Sequence, residues 1–252
     1  MRKVIIHGHR GSRGTHTENT IVSFADAASA GAEFVELDVH LSRDQELIVF
    51  HDFVISNRLC RDSVGRAIQT PLLVSSLSLA EIQAFQCGKG NAQIPSLREL
   101  IEWKCAHAPR LKLNVEIKND LEHDPSGTQA EILARAVIDL LRRYQLMDES
   151  LVQSFDFRVV GALRKLDSNL KLSCLFEHPA DFAREALQNH AQVAAIHYPL
   201  ITKNVVLACH DLGIEVLPWT VNDEQEWTRL IDLGVRSIIT DFPKKLRDFL
   251  RG

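Results

Sequence analysis

No uninterrupted apolar run in the 252-residue chain approaches the roughly 18 residues that a membrane-spanning helix requires. Positive charge is not in excess either. Lys and Arg number 29 against 33 Asp and Glu, a formal net charge of -4, so the chain lacks the basic footprint that neutralises a run of phosphates, and no nucleic-acid partner is expected. Cysteine is sparse: Cys60, Cys87, Cys105, Cys174 and Cys209 are odd in number, widely spaced and contain no Cys-x-x-Cys pair. That pattern excludes the common zinc and dithiol motifs, and free, mostly buried thiols are expected. The opening stretch Met1 to His7 is too short an apolar segment for a signal peptide, which makes a cytoplasmic location the expectation. Internal repeats and low-complexity tracts are absent.

What is present is an ordinary globular composition, 45% hydrophobic and 25% charged, at a length that suits one large domain over 1–252. Short apolar segments recur at Val4 to His7, Phe34 to Val39, Leu111 to Ile117, Leu151 to Gln153, Leu170 to Phe176, Val193 to His197, Glu215 to Leu217 and Ser237 to Ile239. Between them, Thr20 to Ala30, Ala130 to Tyr144, Lys203 to Leu212 and Glu224 to Leu233 carry helical periodicity, with Gly31, Gly213 and Gly234 at the ends. About eight βα alternations in this length predict an α/β fold, a (β/α)8 TIM barrel. A doubly wound sheet is the rival, but Gly8, Gly11 and Gly14 have the wrong spacing for its phosphate-binding turn. The interval 52–94 is turn-rich and then helical without a clear barrel strand, so it reads as a small insertion on one loop.

Barrel strands are covered by helices on their outer face, so charged residues within them must point inward or lie at the mouth. In Phe34 to Val39 the apolar Val35, Leu37 and Val39 share one face while Glu36 and Asp38 share the other. In Leu113 to Lys118 the alternation leaves Asn114, Glu116 and Lys118 together. Three carboxylates in one cavity cannot all ionise cheaply without a compensating cation. An all-oxygen set favours a hard ion, Mg2+ or Ca2+. The alternative is a structural charge network in which these carboxylates pair with Arg10 and Lys118.

The first strand runs into His7-Gly8-His9-Arg10-Gly11, with His7 and His9 on one face. Alone, this His-x-His suggests a zinc hydrolase of the amidohydrolase kind, with His178, His197 and Asp241 as the loosely placed candidates to complete it. His51 follows a short apolar strand, Leu47 to Phe50, close behind the Glu-x-Asp strand, so it can reach the same mouth. Cleavage of a phosphodiester needs one proton removed and another delivered, work that His9 and His51 could divide. The isolated His16, His107, His123, His190 and His210 are expected to be surface or structurally satisfied residues.

Taken in order, His9-Arg10-Gly11, Glu18-Asn19-Thr20, Glu36-Leu37-Asp38-Val39, Phe50-His51-Asp52 and Glu116-Ile117-Lys118 resemble the glycerophosphodiester phosphodiesterase family. Weaker echoes at Ile94 to Leu97, Ser154-Phe155-Asp156, Trp219 to Asn222 and Thr240 to Pro243 extend the resemblance over essentially the whole chain. It implies metal ligands at Glu36, Asp38 and Glu116, catalytic histidines at His9 and His51, and phosphate binding by Arg10 and Lys118. It further implies substrate contacts from Glu18, Asn19 and Trp219, the last against the glycerol end. The implied reaction is metal-dependent hydrolysis of a small-molecule glycerophosphodiester to sn-glycerol 3-phosphate and an alcohol. Related enzymes act on lysophospholipids or sphingomyelin, which leaves lysophospholipase D or sphingomyelinase D-like activity open, and a non-catalytic binding barrel stands as a third class. The chain departs from the family at Thr17, where proline usually precedes Glu-Asn-Thr.

Overall fold

The computed structural model describes residues 4–88, 90–120 and 124–252; residues 1–3, 89 and 121–123, His123 among them, lie outside them. Eight parallel strands, β1 (Ile5–Gly8), β2 (Phe34–Leu41), β3 (Lys112–Ile117), β4 (Ser150–Ser154), β5 (Lys171–Phe176), β6 (Val193–His197), β7 (Glu215–Trp219) and β8 (Ser237–Thr240), run in sequential order round a barrel, with β1 beside β8. Between β7 and β8 the ring is completed by a hydrogen bond from the Val221 amide to the Ile239 carbonyl, 2.9 Å. The helices α1 (Ile21–Ser29), α2 (Leu97–His107), α3 (Thr128–Arg143), α4 (Phe157–Leu166), α5 (Phe182–Gln188), α6 (Lys203–Asp211), α7 (Glu224–Asp232) and α8 (Pro243–Phe249) follow the strands in turn. This is the (β/α)8 barrel that the alternation predicts.

Local chemistry sets the boundaries of these elements. Thr20 caps α1 by accepting from the Ser23 amide, and Ser96 and Glu99 form a reciprocal capping box on α2. Gly31 and Gly213 end α1 and α6 at φ of 83° and 71°, a region in which a Cβ would be strained. On β2, Val35, Leu37 and Val39 are fully buried against the helix layer, each contributing about 1.5–3 kcal/mol of apolar burial. The inward faces divide into two halves. Leu151, Leu175, Val193, Ala195, Leu217 and Ile239 fill one half of the barrel interior with apolar groups. The other half, supplied by β1 to β3, carries His7, Glu36, Asp38, Asn114 and Glu116, all buried. The carboxylate cluster is thereby confined to β2 and β3.

The insertion begins where Leu47–Val49 returns antiparallel to the end of β2. It holds two small two-stranded ribbons, Val54–Ile55 with Leu72–Leu73 and Cys60–Arg61 with Gln86–Cys87, and a helix, Leu79–Gln83. Ile48, Phe50, Ile55, Ile68, Val74 and Ile82 are among the residues of its own core. One expectation fails here. Cys60 and Cys87 are not free thiols but a disulfide, because the ribbon places them directly opposite each other with a Cα–Cα separation of 4.0 Å. Cys174 and Cys209 are free and buried as expected, whereas Cys105 is free but exposed. Of the isolated histidines, His107, His190 and His210 are exposed and His16 is half-buried.

Candidate active site

The C-terminal ends of β1, β2 and β3 bring their side chains to one mouth of the barrel, the end at which loops of this fold carry function. Alternation along β2 directs Glu36 and Asp38 to the axis, and β3 adds Glu116 from the adjacent strand, where Asp38 and Glu116 are register partners. One carboxylate oxygen from each of Glu36, Asp38 and Glu116 lies within 4.8 Å of the others. Among the described residues this is the one cluster of potential metal ligands.

The cluster is only partly neutralised. Lys118 Nζ lies 2.5 Å from Glu116 Oε1 and 3.1 Å from Asp38 Oδ1, while Arg10 Nε lies 3.3 Å from Asp38 Oδ2. Burial raises the Asp38 carboxyl, but Lys118 and then Arg10 outweigh it and hold Asp38 below the usual carboxylate range. Glu36 behaves oppositely: burial, then the charges of Asp38 and Glu116, push it well above that range. Glu116 is raised to about 7 by burial, with Lys118 offsetting part of the rise and Asp38 adding to it. Two cations therefore leave surplus negative charge among three carboxylates. Asp38 Oδ1 and Glu116 Oε1 are also buried without a well-directed hydrogen bond. A hard divalent ion fits this donor set, since oxygens at about 2.0–2.6 Å from one centre span such a cluster.

The two histidines face the same cavity with matched partners. His9 Nδ1 lies 2.7 Å from Asp241 Oδ1, and Asn222 Nδ2 donates to Asp241 Oδ2 at 2.7 Å. His51 Nδ1 lies 2.7 Å from Asp52 Oδ1, and Arg58 Nε donates to Asp52 Oδ2 at 2.6 Å. With a carboxylate accepting from Nδ1, each neutral ring presents Nε2 as a base. His9 Nε2 is 3.9 Å from Glu36 Oε2. Burial lowers the pKa of both rings; hydrogen bonding to Asp241 opposes it at His9, and the Asp38 charge does so at His51. A cavity of about 410 Å³ joins His9, Arg10, Glu36, His51, Glu116 and Lys118, and its far wall includes Phe155 and Trp219.

Arg10 reaches the cavity from a left-handed turn at φ 49°, its amide donating to Glu36 Oε2 at 2.9 Å and its Nη1 to Glu18 Oε1 at 2.9 Å. Glu18 also accepts from Arg13 Nε at 2.9 Å, and Asn19 Nδ2 donates to Asp38 Oδ2 at 2.8 Å. Glu18 and Asn19 thus sit behind Arg10 and Asp38 rather than on the cavity wall. Trp219 does line it, with Nε1 donating to the Ala195 carbonyl at 3.1 Å and its ring edge-on to Phe155. His7 lies deeper, stacked on Phe34 at 4.3 Å, and burial lowers its pKa to about 3. His197 packs against Trp219 and His178 is exposed. Neither joins His7 and His9 in a metal cluster.

Gln153 also lines the cavity; the sequence singles out none of Asp52, Arg58, Gln153 and Phe155 as site residues, and it offers Asp241 only as a zinc ligand. For Asp241 a signal existed: Ser237, Ile239 and Asp241 continue the inward alternation of β8 by one step.

A (β/α)8 barrel whose mouth joins a carboxylate cluster, two carboxylate-backed histidines and two cations is the architecture of a hydrolase acting on phosphate esters. The chain belongs to the glycerophosphoryl diester phosphodiesterase family, whose model matches residues 9–245. A glycerophosphodiester phosphodiesterase of Bacillus altitudinis is 28% identical over 249 residues, covering 95% of each chain. A human lysophospholipase D is 25% identical, covering 96% of this chain and 84% of its own. A solved structure from Silicibacter pomeroyi, provisionally assigned to the same family, superposes with a TM-score of 0.92 at 27% identity, covering 99% of this chain and 94% of that one. An Oleispira antarctica phosphodiesterase, solved in complex with its product sn-glycerol-3-phosphate, shares the fold with a TM-score of 0.86 at 24% identity, covering 98% of this chain and 97% of that one.

Proposed function

We propose that the chain hydrolyses glycerophosphodiesters to sn-glycerol 3-phosphate and an alcohol in a divalent-cation-dependent reaction, with His9 and His51 moving the protons. The observation that carries this reading is the convergence of both histidines, each bonded at Nδ1 to a carboxylate, on the cavity lined by Glu36 and Glu116 of the three-carboxylate cluster. Glu36, Asp38 and Glu116 would hold the ion, Mg2+ or Ca2+, which when bound would supply Lewis-acid polarisation of a phosphoryl oxygen.

Arg10 and Lys118 face the same phosphoryl group and stabilise the charge that develops on it. Glu18 and Asn19 hold Arg10 and Asp38 in place, and Trp219 lies against the glycerol end. One histidine takes a proton from the attacking oxygen at Nε2 while the other delivers one to the departing alcohol oxygen. The attacking oxygen is either water or the neighbouring glycerol hydroxyl. In the second case a cyclic phosphodiester forms as the alcohol leaves, water then opens it, and the histidines exchange roles.

Lysophospholipids are the second reading. It is favoured by Phe155, which is 39% exposed beside Trp219 and offers an apolar exit for a chain esterified to the glycerol. No helix among the described residues is long and apolar enough to cross a membrane. Side-by-side assay of glycerophosphocholine and lysophosphatidylcholine, following sn-glycerol 3-phosphate and lysophosphatidic acid, separates the two. Turnover of neither substrate with Mg2+ or Ca2+ present would count against both and revive a non-catalytic barrel.

A further inference from the structure

Next to the catalytic cavity lies a second groove of about 420 Å³, and Lys118 lines both. Its walls include the end of β2, the insertion, and Asn119 and Asp124. His51 belongs to the first cavity, whereas Phe53, two residues further on, belongs to the second. His40 ties the two together: its Nε2 lies 3.1 Å from the His51 carbonyl, and its ring meets that of Phe53 edge-on at 5.0 Å. The groove therefore begins where the His51 side of the reaction centre ends. A phosphodiester has two alcohol arms, and the Trp219 side of the first cavity accommodates one of them.

We propose that this groove receives the second alcohol arm of the substrate and selects arms that end in an ammonium group, primary or methylated. The inference rests on the phosphodiesterase reading and adds the head-group class to it. Phe53 and Leu73 line the groove at 40% and 51% exposure, so the phenyl face is available to a cation and the leucine to methylene or methyl groups. Asn119 Nδ2 donates to Asp124 Oδ2 at 3.0 Å and to Asp156 Oδ2 at 2.8 Å, which fixes the amide with Oδ1 as an acceptor. That Oδ1 is buried and has no hydrogen-bond partner, the condition in which a donor from a ligand is favoured. Asp124, also on the wall, accepts at its carboxylate from Asn119 and from the Ala130 amide at 3.0 Å, while the Arg158 guanidinium bonds its backbone carbonyl at 2.7 Å, so the carboxylate itself is held by neutral donors. The groove's own cations are already paired, Lys118 with Asp38 and Glu116, and Arg43 with Glu81 at 2.8 Å. The carboxylate and the aromatic face match either kind of ammonium better than a polyol, and the Asn119 acceptor adds a partner for the N–H of a primary one.

The test compares kcat/KM of the protein supplied with Mg2+, and separately with Ca2+, on glycerophosphoethanolamine, glycerophosphocholine and glycerophosphoglycerol. The two ammonium substrates are expected to exceed glycerophosphoglycerol by roughly tenfold, the scale of one cation–aromatic contact aided by charge. Phe53→Ala, and Leu73→Lys, which adds a repelling charge at an exposed position, should each bring that ratio toward unity, with most of the change in KM. Equal values for the three substrates, or a ratio that neither variant moves, overturns the groove's role and leaves the phosphodiesterase reading standing. Hydrolysis of none of the three overturns both.

Discussion

His9 Nδ1 and Asp241 Oδ1 lie 2.7 Å apart although 232 residues separate them in sequence, and the same geometry recurs between His51 and its immediate neighbour Asp52. Each carboxylate selects the tautomer with the proton on Nδ1 and opposes the lowering of the ring's pKa by burial. Asp241→Asn keeps the shape but removes the charge and the obligate acceptor. It should lower kcat on the order of 100-fold, the usual scale of acid–base assistance. Because the charge and hydrogen bond that raise the His9 pKa are lost, the limb of the pH–rate profile that reports His9 should move to lower pH, the acid limb if His9 is the base and the basic limb if it is the acid. An unchanged profile would show that Asp241 does not act through His9.

His9→Ala and His51→Ala test the proton transfers directly. Each should reduce kcat by on the order of 100-fold or more while leaving the circular dichroism spectrum and melting temperature close to wild type. Both rings sit at the mouth, outside the apolar core that fixes the barrel. Full activity in either variant would remove that histidine from the mechanism.

Glu116 ties stability, pH and metal together. In the cation-free protein its folded pKa of about 7 exceeds the ordinary carboxylate value, so between roughly pH 4.5 and 7 the folded state binds more protons than the unfolded one. For this group, stability is present at low pH and is lost as pH rises through about 7. Glu116→Gln removes the loss. In chelator, the variant should match wild type near pH 5 and melt higher than wild type near pH 8. With Mg2+ or Ca2+ the order should reverse at pH 8, since wild type gains about 2.7 kcal/mol at a hundredfold excess over Kd and the variant gains less. Activity abolished by chelator should return with Mg2+ or Ca2+; return only with zinc would favour a histidine-centred site.

Much of the site is legible in the sequence because strand alternation is strictly periodic. Glu36 and Asp38 on one strand, and Glu116 on the next, can be directed inward by counting from Val35 and Val115, and the eight strands themselves follow from the same pattern. What alternation cannot provide is the partner of a side chain across the barrel. The Asp241–His9 pair and the Arg58–Asp52–His51 chain depend on ring closure and on the path of the insertion, neither of which has a local signature. Glu18 and Asn19 show the same gap from the other side: their motif is visible, but that they brace Arg10 and Asp38 emerges only from the fold.

The insertion offers a test of a different kind. Cys60 and Cys87 are 27 residues apart, and the bridge pins the ribbon two residues beyond Arg58, the side chain that links Asp52 to Glu18. On the loop-closure model a crosslink of this span stabilises by about 3–4 kcal/mol, through restriction of the unfolded chain. Under denaturing, non-reducing conditions thiol titration should find three reactive cysteines, Cys105, Cys174 and Cys209, and five after reduction. Cys60→Ser combined with Cys87→Ser should lower the denaturation midpoint and reduce kcat/KM, because a looser ribbon lets Arg58 leave Asp52 and His51 lose its orientation. Five titratable thiols before reduction would show the pair unbridged. The insertion's own apolar core and its contact with β2 would then have to hold Arg58 in place.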